Sequence, residues 1–249
     1  DLVIIATPIS KVVDAAKLAI KYGQDNILIE KPGSVNHREL LKLKNKIKKQ
    51  NVRIAYNRLC YPSFHKLLEC IKKDGGISSC KFSFTEIIDR IDFEKDLPEI
   101  YSKWGISNSL HVISMAMELI GMPKKIIVKQ WGELNWHKSG SIFVGCGISK
   151  KNIPFSYHSD WQGSGRWGIE VSTKKNLYQL VPLEKLYCCP KGKFNWSEIP
   201  LNTAYSDLKT GVAEEISMML SNKKIKDEMI SLSQGIEYNK LADKIFGYS

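Results

Sequence analysis

The sequence predicts an α/β fold that begins with a parallel sheet and continues into a large, mainly antiparallel one. In residues 1–58, three short apolar runs alternate with two helical patterns. Alternation of this kind produces parallel strands joined by right-handed crossovers. Further along the chain, strand-like runs are separated by turns, which is typical of an antiparallel sheet. These runs cover residues 126–136, 140–148, 153–161, 167–173 and 177–187.

The two helices of the first part are predicted from their caps and their apolar spacing. Residues 10–23 have an apolar face, with Ser10 as the predicted N-cap and a glycine at the end. Residues 36–50 form the second helix, with Asn36 as the predicted N-cap. The segment 51–58 then returns to a strand pattern, which completes a unit of three parallel strands.

The second part combines helices with the antiparallel sheet and is therefore predicted as an α+β domain. An amphipathic helix over residues 61–73 is followed by a strand over 79–88 whose side chains alternate between apolar and polar. Residues 89–101 are charged and predict a loop over the functional site. The remaining helices are predicted over residues 104–121, 204–221 and 224–244.

The chain of 249 residues is basic, with 37 Lys and Arg residues against 26 Asp and Glu residues. Many of the lysines fall on one predicted helix face, which fits a solvated surface. The alternative is attraction of an anionic partner, such as cofactor phosphates or a nucleotide-sugar. No nucleic-acid-binding motif accompanies the charge, so no nucleic-acid partner is expected. No apolar run is long enough to span a membrane, and no membrane partner is expected.

The spacing of cysteines and histidines gives two further expectations. The six cysteines form no CxxC pattern, which is typical of reduced thiols in a cytoplasmic protein. His37, His65, His137 and His158 show no metal-ligand spacing, so no metal site is expected. Asp1 opens directly into a strand, from which we expect that further chain precedes it.

The segment Glu30-Lys31-Pro32 is the first candidate site. It follows a buried strand at the carboxyl end, where open α/β sheets bind their ligands. A lysine beside apolar structure has a lowered pKa, which suits proton transfer. The same residues also fit an ordinary strand end at the surface, so this segment alone does not decide between the two interpretations.

His111 and Arg166 are the other candidates. His111 lies near the start of the predicted helix 104–121 and fits either a general base or a buried structural histidine. Arg166, next to Trp167, could bind a phosphate or carboxylate with two hydrogen bonds, or stack on the tryptophan at the surface. The aromatic residues of the predicted sheet fit either packing or a sugar-binding face.

The order of Thr7-Pro8 after the first strand and Glu30-Lys31-Pro32 after the second resembles the Gfo/Idh/MocA family of nicotinamide-dependent oxidoreductases. In that family the first segment lies along the nicotinamide ribose, and the lysine sits beside the reacting carbon. The resemblance therefore implies hydride transfer between a nicotinamide cofactor, NAD or NADP, and a hydroxyl or carbonyl group. The implied substrate is a sugar, a polyol or a nucleotide-sugar.

The resemblance also divides the chain and assigns roles. It implies that residues 1–60 are the C-terminal part of an NAD(P)-binding Rossmann domain. Residues 61–249 would bind substrate and form a homo-dimer or homo-tetramer. Lys31 and His111 are the implied catalytic residues. The implied cofactor contacts are Thr7, Pro8, Glu30, Lys31, Pro32 and Asn57. The expected substrate contacts are Lys31, Ser107, Asn108, His111 and, from its own chemistry, Arg166.

Two features depart from the pattern of the family. No G-x-G-x-x-G loop is present, so two or three βα units are expected to precede Asp1. Ser107 stands where the family usually has an aspartate, four residues before His111, so a weaker histidine base is expected. These departures leave a second hypothesis open. The chain would then be a catalytically degenerate or fragmentary family member that acts as a binding or assembly module.

Overall fold

The computed structural model of the chain describes residues 1–202, 207–221 and 228–248. Within these ranges the strands form two sheets. The first sheet has three parallel strands, β1 (Val3–Ile5), β2 (Asn26–Glu30) and β3 (Asn51–Ala55), in that order. Helix α1 (Ile9–Lys21) joins β1 to β2, and α2 (His37–Lys44) joins β2 to β3. The predicted parallel unit is therefore confirmed.

The second sheet has eight strands among the described residues. They are β4 (Ser79–Phe84), β5 (Pro123–Trp131), β6 (Ile142–Ser149), β7 (Pro154–Asp160), β8 (Trp167–Ser172), β9 (Asn176–Leu180), β10 (Tyr187–Pro190) and β11 (Ser197–Glu198). Their order is β11-β10-β9-β8-β4-β7-β6-β5, and the neighbouring pairs are antiparallel except for β4 with β7. The predicted large, mainly antiparallel sheet is confirmed.

The other helical segments of the described chain lie between or after the strands of the two sheets. They are a 3-10 turn (Asn57–Cys60), α3 (Pro62–Asp74), a second 3-10 turn (Ile88–Arg90), α4 (Pro98–Ser102), a π-helical turn (Gly105–Ser109), α5 (Leu110–Ile120), α6 (Val212–Leu220) and α7 (Leu232–Phe246). All residues of α5 except Glu118 are buried, as expected for a helix that is apolar on every side. Helix α5 packs on β4 and β8, in the middle of the sheet.

Some predicted details of the first two helices are wrong. Ser10 does not cap α1, because the helix already starts at Ile9 and Pro8 occupies the N-cap position. Asn36 does cap α2, and its Oδ1 accepts a hydrogen bond from the Arg38 N–H at 2.9 Å. Helix α2 is shorter than predicted, because the lysine-rich sequence that follows it has few apolar side chains to bury.

The later helical predictions are mostly confirmed. The predicted loop 89–101 contains the short helix α4 near its end. Helices α6 and α7 correspond to the two predicted last helices. Residues 204–206 and 224–227, which those predictions include, lie outside the described residues. In the described part of the chain, no helix is both long enough and apolar enough to cross a membrane.

One continuous hydrophobic core connects the two sheets through α7. Helix α7 packs on α2 and β3, and also on β5 and the π-helical turn. Its last residue, Phe246, lies among Phe84, Phe143 and Trp161, with ring centroids 5.4, 4.8 and 5.7 Å away. A Cβ at Gly105 would lie 2.3 Å from the Phe246 ring, so only glycine fits where the turn crosses this ring. The core therefore fixes the position of the π-helical turn.

Tyr248 adds a polar contact at the same place. Its hydroxyl accepts a hydrogen bond from the Gly105 N–H at 2.9 Å and lies 2.6 Å from His137 Nε2. The other ring nitrogen, Nδ1, lies 2.7 Å from the Gly140 carbonyl oxygen. Because a carbonyl only accepts, Nδ1 carries the proton and Tyr248 donates to Nε2. Burial lowers the pKa of His137 to about 4, so its ring is neutral at pH 7.

Replacing Tyr248 with phenylalanine keeps the ring and removes both hydrogen bonds. We expect Tyr248→Phe to lower the free energy of unfolding by about 1–3 kcal/mol, because the Gly105 N–H loses its partner and His137 Nε2 keeps only a longer contact to Ser139 Oγ at 3.4 Å. Urea denaturation followed by circular dichroism measures the change. The control is Tyr22→Phe, at a residue that is 71% exposed, and it should stay within about 0.5 kcal/mol of the wild type. Equal stability of the two variants would contradict the role of the Tyr248 hydroxyl.

Candidate active site

The carboxyl ends of β1, β2 and β3 meet at one edge of the parallel sheet. The six predicted cofactor contacts all lie at this edge: Thr7, Pro8, Glu30, Lys31, Pro32 and Asn57. Thr7, Pro8 and Glu30 are exposed, whereas Pro32 is buried. The structure therefore brings together residues that are separated by two helices in the sequence.

Lys31 connects this edge to the second candidate segment. Its Nζ donates a hydrogen bond to the carbonyl oxygen of Ser107 at 2.6 Å. Burial lowers the pKa of Lys31 to about 8, and the nearby Glu30 carboxylate opposes the shift. The lowering expected from the sequence is confirmed. A lysine with this pKa changes its protonation near physiological pH, so it can give or take a proton.

His111 lies in the first turn of α5 and is only 5% exposed. Its ring centroid is 5.8 Å from that of Trp167, and its Nδ1 has no hydrogen-bond partner among the described residues. Burial lowers its pKa well below the usual value, and the charges of Lys31, Arg58 and Lys209 lower it further. The ring is therefore neutral at pH 7. This agrees with the expected weaker base, but burial is the main cause.

The π-helical turn Gly105–Ser109 presents a backbone carbonyl to Lys31. Such turns widen the helix locally and are frequent at functional sites. The Ser107 hydroxyl donates to the Trp104 carbonyl oxygen at 3.2 Å, so this side chain turns back into its own segment. Ser107 thus meets Lys31 through its backbone. A substrate contact by its hydroxyl would have to share the bond to Trp104.

A cavity of about 460 Å³ opens beside this turn, within the size range of small-ligand sites. Two predicted substrate contacts, Asn108 and Arg166, line it. Its aromatic lining consists of Tyr101, Trp104 and Trp167. Lys31 and His111 do not line the cavity, but Trp167 contacts the His111 ring as well. The predicted substrate residues therefore form two groups with Trp167 between them.

The sequence patterns do not predict three charged residues of the site: Arg58, Glu86 and Lys209. The guanidinium of Arg58 lies 4.8 Å from the centroid of the Trp167 ring, a cation–π contact. Glu86 is buried and continues the inward alternation of Phe84, which is a signal that the sequence does contain. Lys209 is exposed, and its charge lowers the pKa of both catalytic candidates. Nothing in its local sequence indicates that role.

No protein-family model and no curated protein sequence matches the chain, whereas solved structures match its fold. UDP-N-acetylglucosamine 3-dehydrogenase from Acidithiobacillus ferrooxidans superposes with a TM-score of 0.71 and 15% identity, covering 100% of this chain and 78% of that one. An inositol dehydrogenase homolog from Azotobacter vinelandii, complexed with NADH and myo-inositol, superposes with a TM-score of 0.77 and 10% identity. The match covers 99% of this chain and 75% of that one. An oxidoreductase from Agrobacterium radiobacter, in complex with NAD⁺, L-tartaric acid and magnesium, superposes with a TM-score of 0.75 and 11% identity. The match covers 100% of this chain and 77% of that one.

The chain has the fold of the Gfo/Idh/MocA-type dehydrogenases, as the sequence resemblance implied. The parallel sheet corresponds to part of a Rossmann domain, and the eight-stranded sheet belongs to the α+β part of that architecture. The predicted fold class is therefore confirmed. At 10–15% identity the likeness establishes the fold, and the activity has to be inferred from the site.

The segment that carries Lys209 packs closely against the turn after β3. Gly211, at the N-cap of α6, has a φ of +84°, which an L side chain adopts only with strain. A Cβ at this position would also lie 2.2 Å from the carbonyl oxygen of Asn57. Glycine is therefore required for conformation and for space, and this contact keeps Lys209 near the carboxyl edge.

We expect Gly211→Ala to destabilise the protein more than Gly75→Ala. The two glycines have similar φ values, +84° and +88°, so both variants incur a backbone strain of about 1–2 kcal/mol. Only the new methyl group at position 211 also meets the Asn57 carbonyl, because nothing lies within 4 Å of a Cβ at position 75. Urea denaturation of both variants measures the difference. Equal losses of stability in the two variants would show that the segment carrying Lys209 does not depend on the close approach of Gly211 to Asn57.

Proposed function

We propose that the chain is an NAD(P)-dependent oxidoreductase that transfers hydride between a nicotinamide cofactor and a sugar, polyol or nucleotide-sugar. One observation carries the proposal. Lys31, with a pKa of about 8, joins the carboxyl edge of a parallel sheet to the turn that begins the His111 helix. The carboxyl edge is where α/β folds bind dinucleotides. The dehydrogenases that share the fold support the same class of reaction.

The residues at this edge fit the nicotinamide end of NAD or NADP. Thr7, Pro8 and Glu30 are exposed there, and Asn57 lies beside them. The buried, unpartnered Nδ1 of His111 also indicates that a bound molecule completes its hydrogen bonding. When bound, the nicotinamide supplies the hydride or accepts it. These edge residues would hold and orient the ring.

We assign proton transfer to Lys31. In the oxidation direction its neutral amine accepts the proton of the substrate hydroxyl, and in reduction its ammonium returns that proton. His111 remains neutral and orients the hydroxyl through Nδ1. The sequence made His111 a candidate general base beside Lys31, whereas here Lys31 alone has that role. Burial is the reason for the change, because it brings the lysine pKa towards neutrality and moves the histidine pKa away from it.

The lining of the cavity beside Trp167 suits a ring-shaped substrate that carries hydroxyl groups. Its aromatic side chains suit the apolar C–H face of a sugar. Its basic residues are Arg58, Arg90, Lys95 and Arg166, and its acidic residues are Glu86, Asp92, Asp96 and Glu184. Positive and negative side chains are thus balanced, although the chain as a whole has a net charge of +11. The lining therefore favours neutral hydroxyl groups at least as much as phosphates.

The proposal includes the division into a Rossmann part over residues 1–60 and a substrate domain over residues 61–249. It also includes a cytoplasmic location and a homo-dimer or homo-tetramer that pairs through the second sheet. One face of the second sheet supports this pairing, because two of its side chains are exposed: Ile127, at 65%, and Cys146. Exposed apolar residues on a broad sheet face are suited to contact with a second copy.

Titration with NADH and NADPH, followed by nicotinamide fluorescence, tests the cofactor assignment. The protein used should include any sequence that precedes Asp1 in its gene. We expect saturable binding of one of the two cofactors, and the choice of cofactor then guides a screen of sugars and nucleotide-sugars. A folded protein that binds neither at millimolar concentration would contradict the enzyme. That result would favour the alternative, a binding or assembly module.

The pH dependence of turnover tests the role of Lys31. We expect kcat/KM for oxidation to rise with pH and to level off above about 8, because neutral Lys31 is the required form. The reverse reaction should slow over the same range. Lys31→Met should lose about 10²–10⁴-fold in rate, the usual contribution of a positioned acid or base. Lys21→Met, at an exposed residue of α1, is the control. A midpoint near the ordinary histidine pKa would instead identify His111 as the base.

A further inference from the structure

Glu86 is a buried carboxylate of the site, and it has no role in the proton transfer proposed above. It is 6% exposed, follows β4 and lines the cavity of about 460 Å³. Its Oε2 accepts a hydrogen bond from Asn108 Nδ2 at 2.7 Å. Its Oε1 accepts two, from Ser109 Oγ at 2.5 Å and from Trp167 Nε1 at 3.2 Å. One side chain thus binds donors from the π-helical turn and from β8.

These contacts favour the ionised form of Glu86. In all three of them the carboxyl oxygens accept, and two of the donors, Asn108 Nδ2 and Trp167 Nε1, cannot accept a carboxyl proton in return. Burial raises the pKa of Glu86, and the hydrogen bonds from Ser109, Asn108 and Trp167 offset only part of that rise. Hydrogen bonds to a charged acceptor are stronger than neutral ones, so an ionised Glu86 holds its partners firmly.

Of the partners of Glu86, Asn108 and Trp167 line the cavity, and Trp167 also contacts His111. Asn108 and Ser109 belong to the turn immediately before α5. Trp167 contacts the His111 ring on one side and the Arg58 guanidinium on another. Because a single carboxylate holds these groups, its position sets the distance from His111 to anything bound in the cavity.

Glu86 also belongs to the charged surroundings of Lys31. The groups that act on Lys31 are Glu30, Arg58, Glu86 and Lys209, with the neutral ring of His111 nearby. Arg58 and Lys209 disfavour the ammonium, whereas the two carboxylates favour it. Of the two carboxylates, Glu30 has the larger effect on Lys31, although it is exposed and solvent screens its charge. Glu86 is buried, so its charge is screened less.

We propose that Glu86 is a positioning residue of this site, which fixes Asn108, Ser109 and Trp167 around His111 and supplies a buried negative charge that stabilises the Lys31 ammonium. Its meaning for catalysis rests on the proposed oxidoreductase function. Its contacts and its effect on Lys31 exist without cofactor or substrate, so they are measurable in the ligand-free protein.

NMR of ligand-free Glu86→Gln tests the effect of the charge. The pKa of Lys31 is read from its side-chain ¹³Cε–¹Hε resonance, which is assigned with Lys31→Met. We expect Glu86→Gln to lower this pKa by roughly half a unit, less than the one to three units that a charge in direct contact produces. The matched control is Glu170→Gln on β8, which removes a carboxylate paired with Lys81 and should leave Lys31 unchanged. An unchanged Lys31 in Glu86→Gln would overturn the proposal.

If Glu86→Gln does not fold, a measurement on the wild-type protein tests the contact between Glu86 and Trp167. The indole N–H resonance of Trp167, assigned with Trp167→Phe, should titrate with a single carboxyl transition above pH 4.5, because its acceptor is a buried carboxylate of raised pKa. An indole resonance that does not respond to pH would refute the contact.

Turnover separates this proposal from the proposed function. In an enzyme that binds cofactor, Glu86→Gln should shift the midpoint of the pH profile downward by the same amount as the NMR pKa of Lys31, with the KM for cofactor unchanged. A profile that does not move would overturn the proposal even if the enzyme is active. Failure of the wild type to bind cofactor would remove the oxidoreductase function and leave the NMR result to decide the role of Glu86.

Discussion

The hydrogen bond from Lys31 to the carbonyl oxygen of Ser107 is the contact on which the site depends. A buried ammonium costs several kcal/mol in lost hydration unless polar groups replace the water. Here a backbone carbonyl does so at 2.6 Å, and it belongs to the π-helical turn Gly105–Ser109, 76 residues further along the chain. The contact therefore places the carboxyl edge of the parallel sheet against the turn that begins α5. A side-chain acceptor could change its rotamer, whereas a backbone carbonyl moves only when its turn moves. The backbone therefore sets the distance between the carboxyl edge and the turn.

That turn is held from the far end of the described chain. The ring of Phe246 leaves room only for glycine at position 105, and the Tyr248 hydroxyl accepts the hydrogen bond of the Gly105 N–H. Tyr248 in turn is bound to His137, in the segment between β5 and β6. The last helix thus joins the parallel sheet, the antiparallel sheet and the turn in one core. Because interiors are closely packed, a change at the end of α7 is transmitted to the carbonyl that binds Lys31.

The sequence predicts those features that depend on local patterns. Alternation of strands and helices predicts the parallel sheet, and the chain order of Thr7 and Lys31 after their strands predicts that they share an edge. Asn36 is recognisable as a cap because its short side chain can accept from the helix backbone. The partial burial of Lys31 follows from its position at a strand end. The partners of Glu86 are not predictable in this way, because Trp167 is brought to it from 81 residues further along the chain. The assignment of base and supporting residue also needs the structure, since it depends on how deeply each side chain is buried.

The serine at position 107 is compatible with an active site once the contacts are known. Lys31 binds the backbone of this residue, so the contact does not require a carboxylate side chain there. The Ser107 hydroxyl is used within its own segment, and the negative charge that we propose for the site comes from Glu86, which follows β4. An acid at position 107 would add a second carboxylate to the turn whose next two residues, Asn108 and Ser109, bind Glu86. Two carboxylates that share a buried site raise each other's pKa. The absence of an acid at this position therefore argues for a redistribution of charge in the site, and by itself it does not argue for a loss of catalysis.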